Sequence, residues 1–150
     1  MAELLRELEY TDAVQVDEKT VFRFPIGIPG FESYHEFYLV EDEDLALAKL
    51  VAVKDENIGF ILLKPYVFFS DYRTEFSGED DFARVFQTKG DTLISIDVWV
   101  IVTLNSKDMT QTTVNLRAPI LLDRSAKLGV QIILNDEAYA IKEPLIQVSK

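Results

Sequence analysis

The chain contains no cysteine among its 150 residues. This excludes disulfides, iron–sulfur clusters, thiolate zinc sites and a cysteine nucleophile, and it agrees with a reducing compartment. Histidine is almost as scarce, with His35 alone. One imidazole without thiolates is too few for a histidine-based zinc site. No Gly-x-Ser-x-Gly elbow supports a Ser–His–Asp triad around it. His35, within Glu32-Ser33-Tyr34-His35-Glu36, reads as an exposed loop residue. The phosphate-cradling patterns Gly-x-Gly-x-x-Gly and Gly-x-x-x-x-Gly-Lys-Ser/Thr are missing. No stretch approaches the roughly 18 apolar residues of a membrane span. Met1–Glu7 carries acid and has no apolar signal-peptide region. These absences describe a cytoplasmic protein that needs no cofactor and acts by binding, not by catalysis.

Positive charge is also short. Lys and Arg number 15 against 26 Asp and Glu, for a net charge of −11. The deficit is uneven: residues 1–75 hold 7 basic against 16 acidic side chains, and residues 76–150 hold 8 against 10. Such a surface repels phosphate backbones, so direct nucleic-acid binding is not expected. Solubility accounts for the acidity in its plainest reading, and attraction to a basic protein partner in its sharper one. Neither acidic run reads as a metal site. Glu41-Asp42-Glu43-Asp44 lacks the ligand spacing and glycine of a calcium loop, and Glu79-Asp80-Asp81 suits the first turn of a helix. Asp97 could join acid–base chemistry only if the fold brought a second carboxylate to it.

What is present is apolar material, 48% of the chain, enough for one domain spanning 1–150 with residues 1–7 frayed. It is arranged in short β-rich runs. In Leu93–Leu104 the even positions Ile94, Ile96, Val98, Val100, Val102 and Leu104 are all apolar, while Ser95, Asp97 and Thr103 fall between them. Alternation of this kind predicts a long strand with the even set facing the core and the odd set partly wet. Ala126–Leu134 repeats the pattern. Leu45–Val53 and Ile58–Lys64 flank the polar loop Lys54-Asp55-Glu56-Asn57 and read as a hairpin of doubly covered strands. Shorter strands are expected at Thr20–Phe24, Glu36–Glu41, Ala118–Leu122 and Ala138–Ile141. An opening hairpin is expected from Leu8–Tyr10 and Ala13–Val16, preceded by a frayed turn at Leu4, Leu5 and Leu8. Ser77 or Gly78 followed by acids, then Phe82, Val85 and Phe86 at helical spacing, predicts a short surface helix. The aromatic run Tyr66, Phe68, Phe69, Tyr72 and Phe76 reads by alternation as core filling or as a docking face. The fold class is therefore all-β and mainly antiparallel, a small β-barrel-like domain with one short surface helix.

Two motifs go further. In Phe24-Pro25-Ile26-Gly27-Ile28-Pro29-Gly30-Phe31-Glu32, Pro29-Gly30 suits the centre of a type II turn presenting Phe31 and Glu32. In Asn115-Leu116-Arg117-Ala118-Pro119-Ile120, Pro119 belongs at a strand start or on an edge, and an exposed edge beside a pinned loop would suit a docking chain. Together, with Asp71-Tyr72, Gln131-Ile132-Ile133-Leu134, Tyr139 and Glu143-Pro144-Leu145, these motifs resemble the signature of the flagellar assembly factor FliW family over residues 8–146. Ser70 stands where the family commonly has proline, and Met1–Glu7 and Glu41–Asp44 lie outside the shared pattern.

The resemblance implies a small β-barrel-like fold. It also implies binding to CsrA, a basic RNA-binding homodimer whose repression of flagellin translation would be relieved, and binding to flagellin itself. The free chain is expected to be monomeric. Candidate partner-binding residues are Phe31, Glu32, Asn57, Tyr66, Tyr72, Asn115 and Arg117, each with packing or turn geometry as the competing explanation. Two alternatives remain at this point, a flagellin-only chaperone and a small-molecule-binding barrel with a deep internal cavity.

Overall fold

β-branched and aromatic residues in alternation, broken by Pro-Gly and acidic turns, lay out nine strands in a computed structural model that describes residues 21–42, 44–72, 85–86, 96–104, 107–134 and 138–145. They are β1 Val21–Arg23, β2 Glu36–Asp42, β3 Leu47–Ala52, β4 Gly59–Leu63, β5 Ile96–Thr103, β6 Thr113–Val114, β7 Ile120–Asp123, β8 Leu128–Gln131 and β9 Glu143–Pro144. Strands β1 to β4 form an antiparallel meander. β4 then pairs with β5, β5 with β7, and β7 with β8, all antiparallel. The ring closes where β8 meets β1 in parallel, at Arg23 and Leu128. The Arg23 N–H donates to the Lys127 carbonyl at 2.8 Å. Seven strands cannot alternate direction all the way round a ring, so an odd closure demands one parallel seam. β6 extends the β7 side of β5, and β9 pairs with β6.

The inner face of a ring this narrow must be filled by side chains. It is filled by Phe22, Phe24, Phe37, Leu39, Leu50, Leu62, Trp99, Ile120 and Leu122, all buried. Large groups face small ones: Phe37 stands opposite Ala52 in the β2–β3 register, and Phe24 lies over Gly129. A Cβ built on Gly129 would sit 2.5 Å from the Phe24 ring. Interdigitation of this sort gives interiors their density.

This packing corrects the expected sidedness of the long strand. Trp99 and Ile101, on the face read as partly wet, point into the barrel. The even set, Val98, Val100 and Val102, faces outward but is covered by an outer cluster that includes Leu47, Leu63, Tyr72, Val114, Leu116 and Leu145. Alternation located the strand, but apolar cover reaches both of its faces: Trp99 is buried on one and Val100 on the other, while Asp97 is half-buried and Thr103 exposed. The hairpin of β3 and β4 is covered on its inner face by Ala48, Leu50, Ala52 and Leu62 and on its outer face at Leu47 and Leu63, while Lys49 and Val51 stay partly exposed, short of the full double cover expected. In β8 the even residue Val130 joins Ile132 and Leu134 in a third cluster with Leu121, Val85 and Phe86, while Gly129 faces inward.

Other expectations need revision. The aromatic run does not alternate as a strand. Pro65–Phe68 is a short helix, α1, with Pro65 at its first turn where the missing N–H costs nothing. Ala138–Ile141 is turn, and the terminal strand falls at Glu143–Pro144. Pro119 precedes β7 as expected, but β7 is paired on both sides, so no free edge lies there. In the expected helix near residue 80 only Val85 and Phe86 are described, both helical and buried. The remainder of that helix, Phe76 and the opening hairpin and turn lie outside the described residues.

Tyr72 joins the segment after α1 to the second motif. Its hydroxyl donates to the Leu116 carbonyl at 2.7 Å, and its ring packs against Tyr66 and Tyr139. Burial, reinforced by the neighbouring Tyr66 and Tyr139, raises the phenol's pKa well above its ordinary 10.0. A raised pKa means that the folded state holds the proton longer than the unfolded chain. The associated stability is thus complete below about pH 10 and is lost progressively above it. Tyr72→Phe is expected to cost about 1–3 kcal/mol at neutral pH by stranding the Leu116 carbonyl. It should also flatten the decline in stability above about pH 10 relative to wild type, measured by urea denaturation across alkaline pH. Gly129→Val should cost about 1–3 kcal/mol or more by overpacking against Phe24, read from the same unfolding curves through the fluorescence of Trp99.

Candidate functional site

The turns at one end of the barrel carry both motifs. At Pro29-Gly30 the Phe31 N–H donates to the Ile28 carbonyl at 2.7 Å, and Gly30 has φ +87°, the geometry of a type II turn. An upstream turn is closed by Gly27 N–H to the Phe24 carbonyl at 3.0 Å. Phe24 N–H donates to the His35 carbonyl at 2.7 Å, and His35 Nδ1 lies 2.9 Å from the Phe24 carbonyl, where it donates as Nδ1–H. The sole histidine is exposed as expected, and its ring latches the loop shut.

The second motif is fixed just as firmly. Asn115 Oδ1 accepts from the N–H groups of Arg117 at 3.1 Å and Ala118 at 3.0 Å, an Asx turn. Asn115 N–H donates to Ile101 and Leu116 N–H to Ala140. The carbonyls of Arg117 and Pro119 accept from Leu134 and Ile132. Arg117 Nε donates to the Leu134 carbonyl at 3.2 Å, and Gln131 Nε2 to the Ala118 carbonyl at 3.1 Å. Four segments are thereby tied together without a regular ladder.

Between the two motifs lies an open groove of about 430 Å³. Its walls are Ile28, Pro29, Phe31, Phe60, Ile101, Ala118, Ile133 and Ile141, and its polar members are Asn115, Arg117 and Gln131. Phe31 packs edge-on against Phe60, with ring centroids 5.1 Å apart. Phe60 meets Phe37, and Phe37 meets Phe24. A line of aromatic rings thus carries the position of the groove wall into the barrel core. Ile133 and Ile141 form a rim that is 62% and 58% exposed.

Of the sequence candidates, Phe31, Asn115 and Arg117 come together in this groove. Glu32 is exposed on the same loop beyond Phe31. Asn57 is exposed in the β3–β4 turn at the same end, its N–H donating to Asp55 Oδ1 at 3.0 Å. Tyr66 lies on α1, 44% exposed, and Tyr72 is buried; neither lines the groove. Sequence reasoning missed Phe60, Ile101, Gln131, Ile133 and Ile141 as wall residues. The signal for Ile133 was available, because it is apolar on the strand face opposite Ile132 and Leu134, where no internal partner was evident.

Elsewhere the fold does bring Asp97 near a second carboxylate. Glu41 and Asp97 both accept from Arg124, Asp97 Oδ2 lying 2.5 Å from Arg124 Nε. Two carboxylates joined through a guanidinium are ion-pair partners, not an acid–base couple sharing a proton. Among the described residues no group of three or more His, Asp or Glu gathers to hold a metal ion. No helix among them is long and apolar enough to cross a membrane. Gly30→Ala tests the groove wall's backbone. Nothing lies within 4 Å of a Cβ there, so the cost is conformational. A loss of about 1–2 kcal/mol in thermal or urea unfolding is expected.

Comparison with known proteins places this architecture. The family model for FliW protein matches residues 7–145. The flagellar assembly factor FliW of Thermosipho africanus is 35% identical over 137 residues, covering 91% of this chain and 92% of its own. That of Clostridium botulinum (strain Langeland) is 37% identical over 141 residues, covering 93% and 94%. A crystal structure of the flagellar assembly factor FliW superposes with a TM-score of 0.81 at 30% identity, covering 94% of this chain and 96% of that one. With the family model matching residues 7–145 and relatives of 35% and 37% identity covering nearly its whole length, the chain belongs to the FliW family of flagellar assembly factors.

Proposed function

We propose that this flagellar assembly factor works in the cytoplasm as a binding protein with two partners. One is a CsrA-type RNA-binding regulator, whose repression of flagellin synthesis it relieves, and the other is flagellin. The observation that carries this reading is the convergence of both family motifs on one open, largely apolar groove in a chain of net charge −11. An open apolar groove with a few fixed polar groups suits a polypeptide surface. The acidic exterior suits a basic partner: docked beside an RNA site, it would exclude RNA by bulk and by negative potential.

Titration calorimetry of the purified protein against the regulator dimer and against flagellin, separately, tests the reading. Both are expected to bind. Affinity for the basic regulator should fall steeply with salt, and affinity for flagellin should not. Binding to flagellin alone would reduce the function to that of a dedicated chaperone, and binding to neither would overturn it. Charge-neutralising substitutions that leave the salt dependence for the regulator unchanged would remove the electrostatic part.

A further inference from the structure

We propose that the groove selects a partner peptide in which a bulky aliphatic side chain is neighboured by an Asp or Glu carboxylate. This deepens the reading of the groove as a protein-docking surface and rests on it. The inference comes from a local reversal of charge. The chain as a whole carries 26 acidic residues against 15 basic ones, yet among the described residues no Asp or Glu lines the groove and one arginine does. Among the described residues Arg117 makes no ion pair. Its Nε is committed to the Leu134 carbonyl, which fixes the plane of the guanidinium and leaves both terminal nitrogens to donate. The Asn115 side chain accepts twice through Oδ1, which turns its Nδ2 donors away from those bonds. The polar part of the groove thus offers held donors and a positive charge, the arrangement that binds a carboxylate.

The apolar part sets the other half of the preference. Isoleucines 28, 101, 133 and 141 with Phe31 and Phe60 make a wall that rewards burial of branched aliphatic carbon. Ile133 and Ile141 stand at the rim, more than half exposed, where an occupant would cover them. Because the groove is open and not a dead-ended pocket, a bound chain can run on past it. The carboxylate proposed for it is that of a side chain and not of a C-terminus. The net acidic exterior disfavours carboxylates on average, so a peptide of this kind is drawn to the groove's arginine, while a basic partner would use the outside.

The test begins with selection of short random peptides on the wild-type protein, counter-selected on Ile133→Asp, an exposed rim substitution. Enriched peptides are made with amidated C-termini and measured by fluorescence anisotropy, alongside isosteric versions in which Asp or Glu becomes Asn or Gln. We expect enriched sequences to pair Leu, Ile, Val or Met with an adjacent acid. The amide versions should bind wild type about tenfold more weakly, the worth of one charge-assisted hydrogen bond. Arg117→Gln should abolish that difference, and Arg117→Lys should restore part of it. Winners without acids, equal affinity for acid and amide versions, or a requirement for a free C-terminal carboxylate would each overturn the proposal. If Arg117→Gln fails to fold, the acid-to-amide comparison on wild type still decides. Full-length flagellin measured on Ile133→Asp separates the two levels. Unchanged flagellin affinity would sink the reading of the groove as a docking surface, whereas lost affinity with indifference to acid would sink only the carboxylate preference.

Discussion

The contact between the Phe24 ring and Gly129 holds the rest of the molecule in place. It joins β1 to β8 across the one parallel seam, where the ladder contributes little, and so closes the barrel chiefly through side-chain packing. The same residue's backbone begins the first motif: its N–H and carbonyl bond to His35, and its carbonyl also accepts from Gly27. Through Phe37 and Phe60 its ring is coupled to Phe31 in the groove wall. Closure of the scaffold and placement of the groove are one packing problem.

The family motifs divide by role once the bonds around them are known. Asn115, Arg117 and Phe31 both shape and line the groove. Tyr72 and Tyr139 stack on each other behind Leu116 and hold the second motif from the far side. Motif residues are thus partly the groove's surface and partly its supports. Among the described residues the groove shows no carboxylate although the chain is acidic, so a broad negative field over the exterior stands beside a single held cation in the cleft.

The legible part of the fold was the part governed by local rules. Alternation located β5 and β8, two apolar runs about a polar loop located the β3–β4 hairpin, and Pro-Gly chemistry gave the type II turn at residues 29 and 30. Sidedness was harder, because the polar Asp97 and Thr103 share a face with Trp99, which is as fully buried as Val100 on the opposite face. The helix at Pro65–Phe68 was hidden inside a run of aromatics whose propensity favours strands, and tertiary packing against the outer cluster decided otherwise. The groove was half legible. The motifs that edge it could be read, but the wall residues Phe60, Ile101, Ile133 and Ile141 come from strands and turns far apart in sequence, and no local pattern unites them.

The ring's topology has a bearing on how the chain is born. The meander β1–β4 is built from neighbours and can assemble as it leaves the ribosome, but its open side waits for β8, more than a hundred residues downstream of β1. Until that late segment arrives, the cleft lacks Arg117, Gln131 and Ile133 and so does not exist. A nascent or prematurely terminated product would carry the negative charge of the N-terminal half without the cleft. Only a chain translated nearly to its end would acquire the cleft.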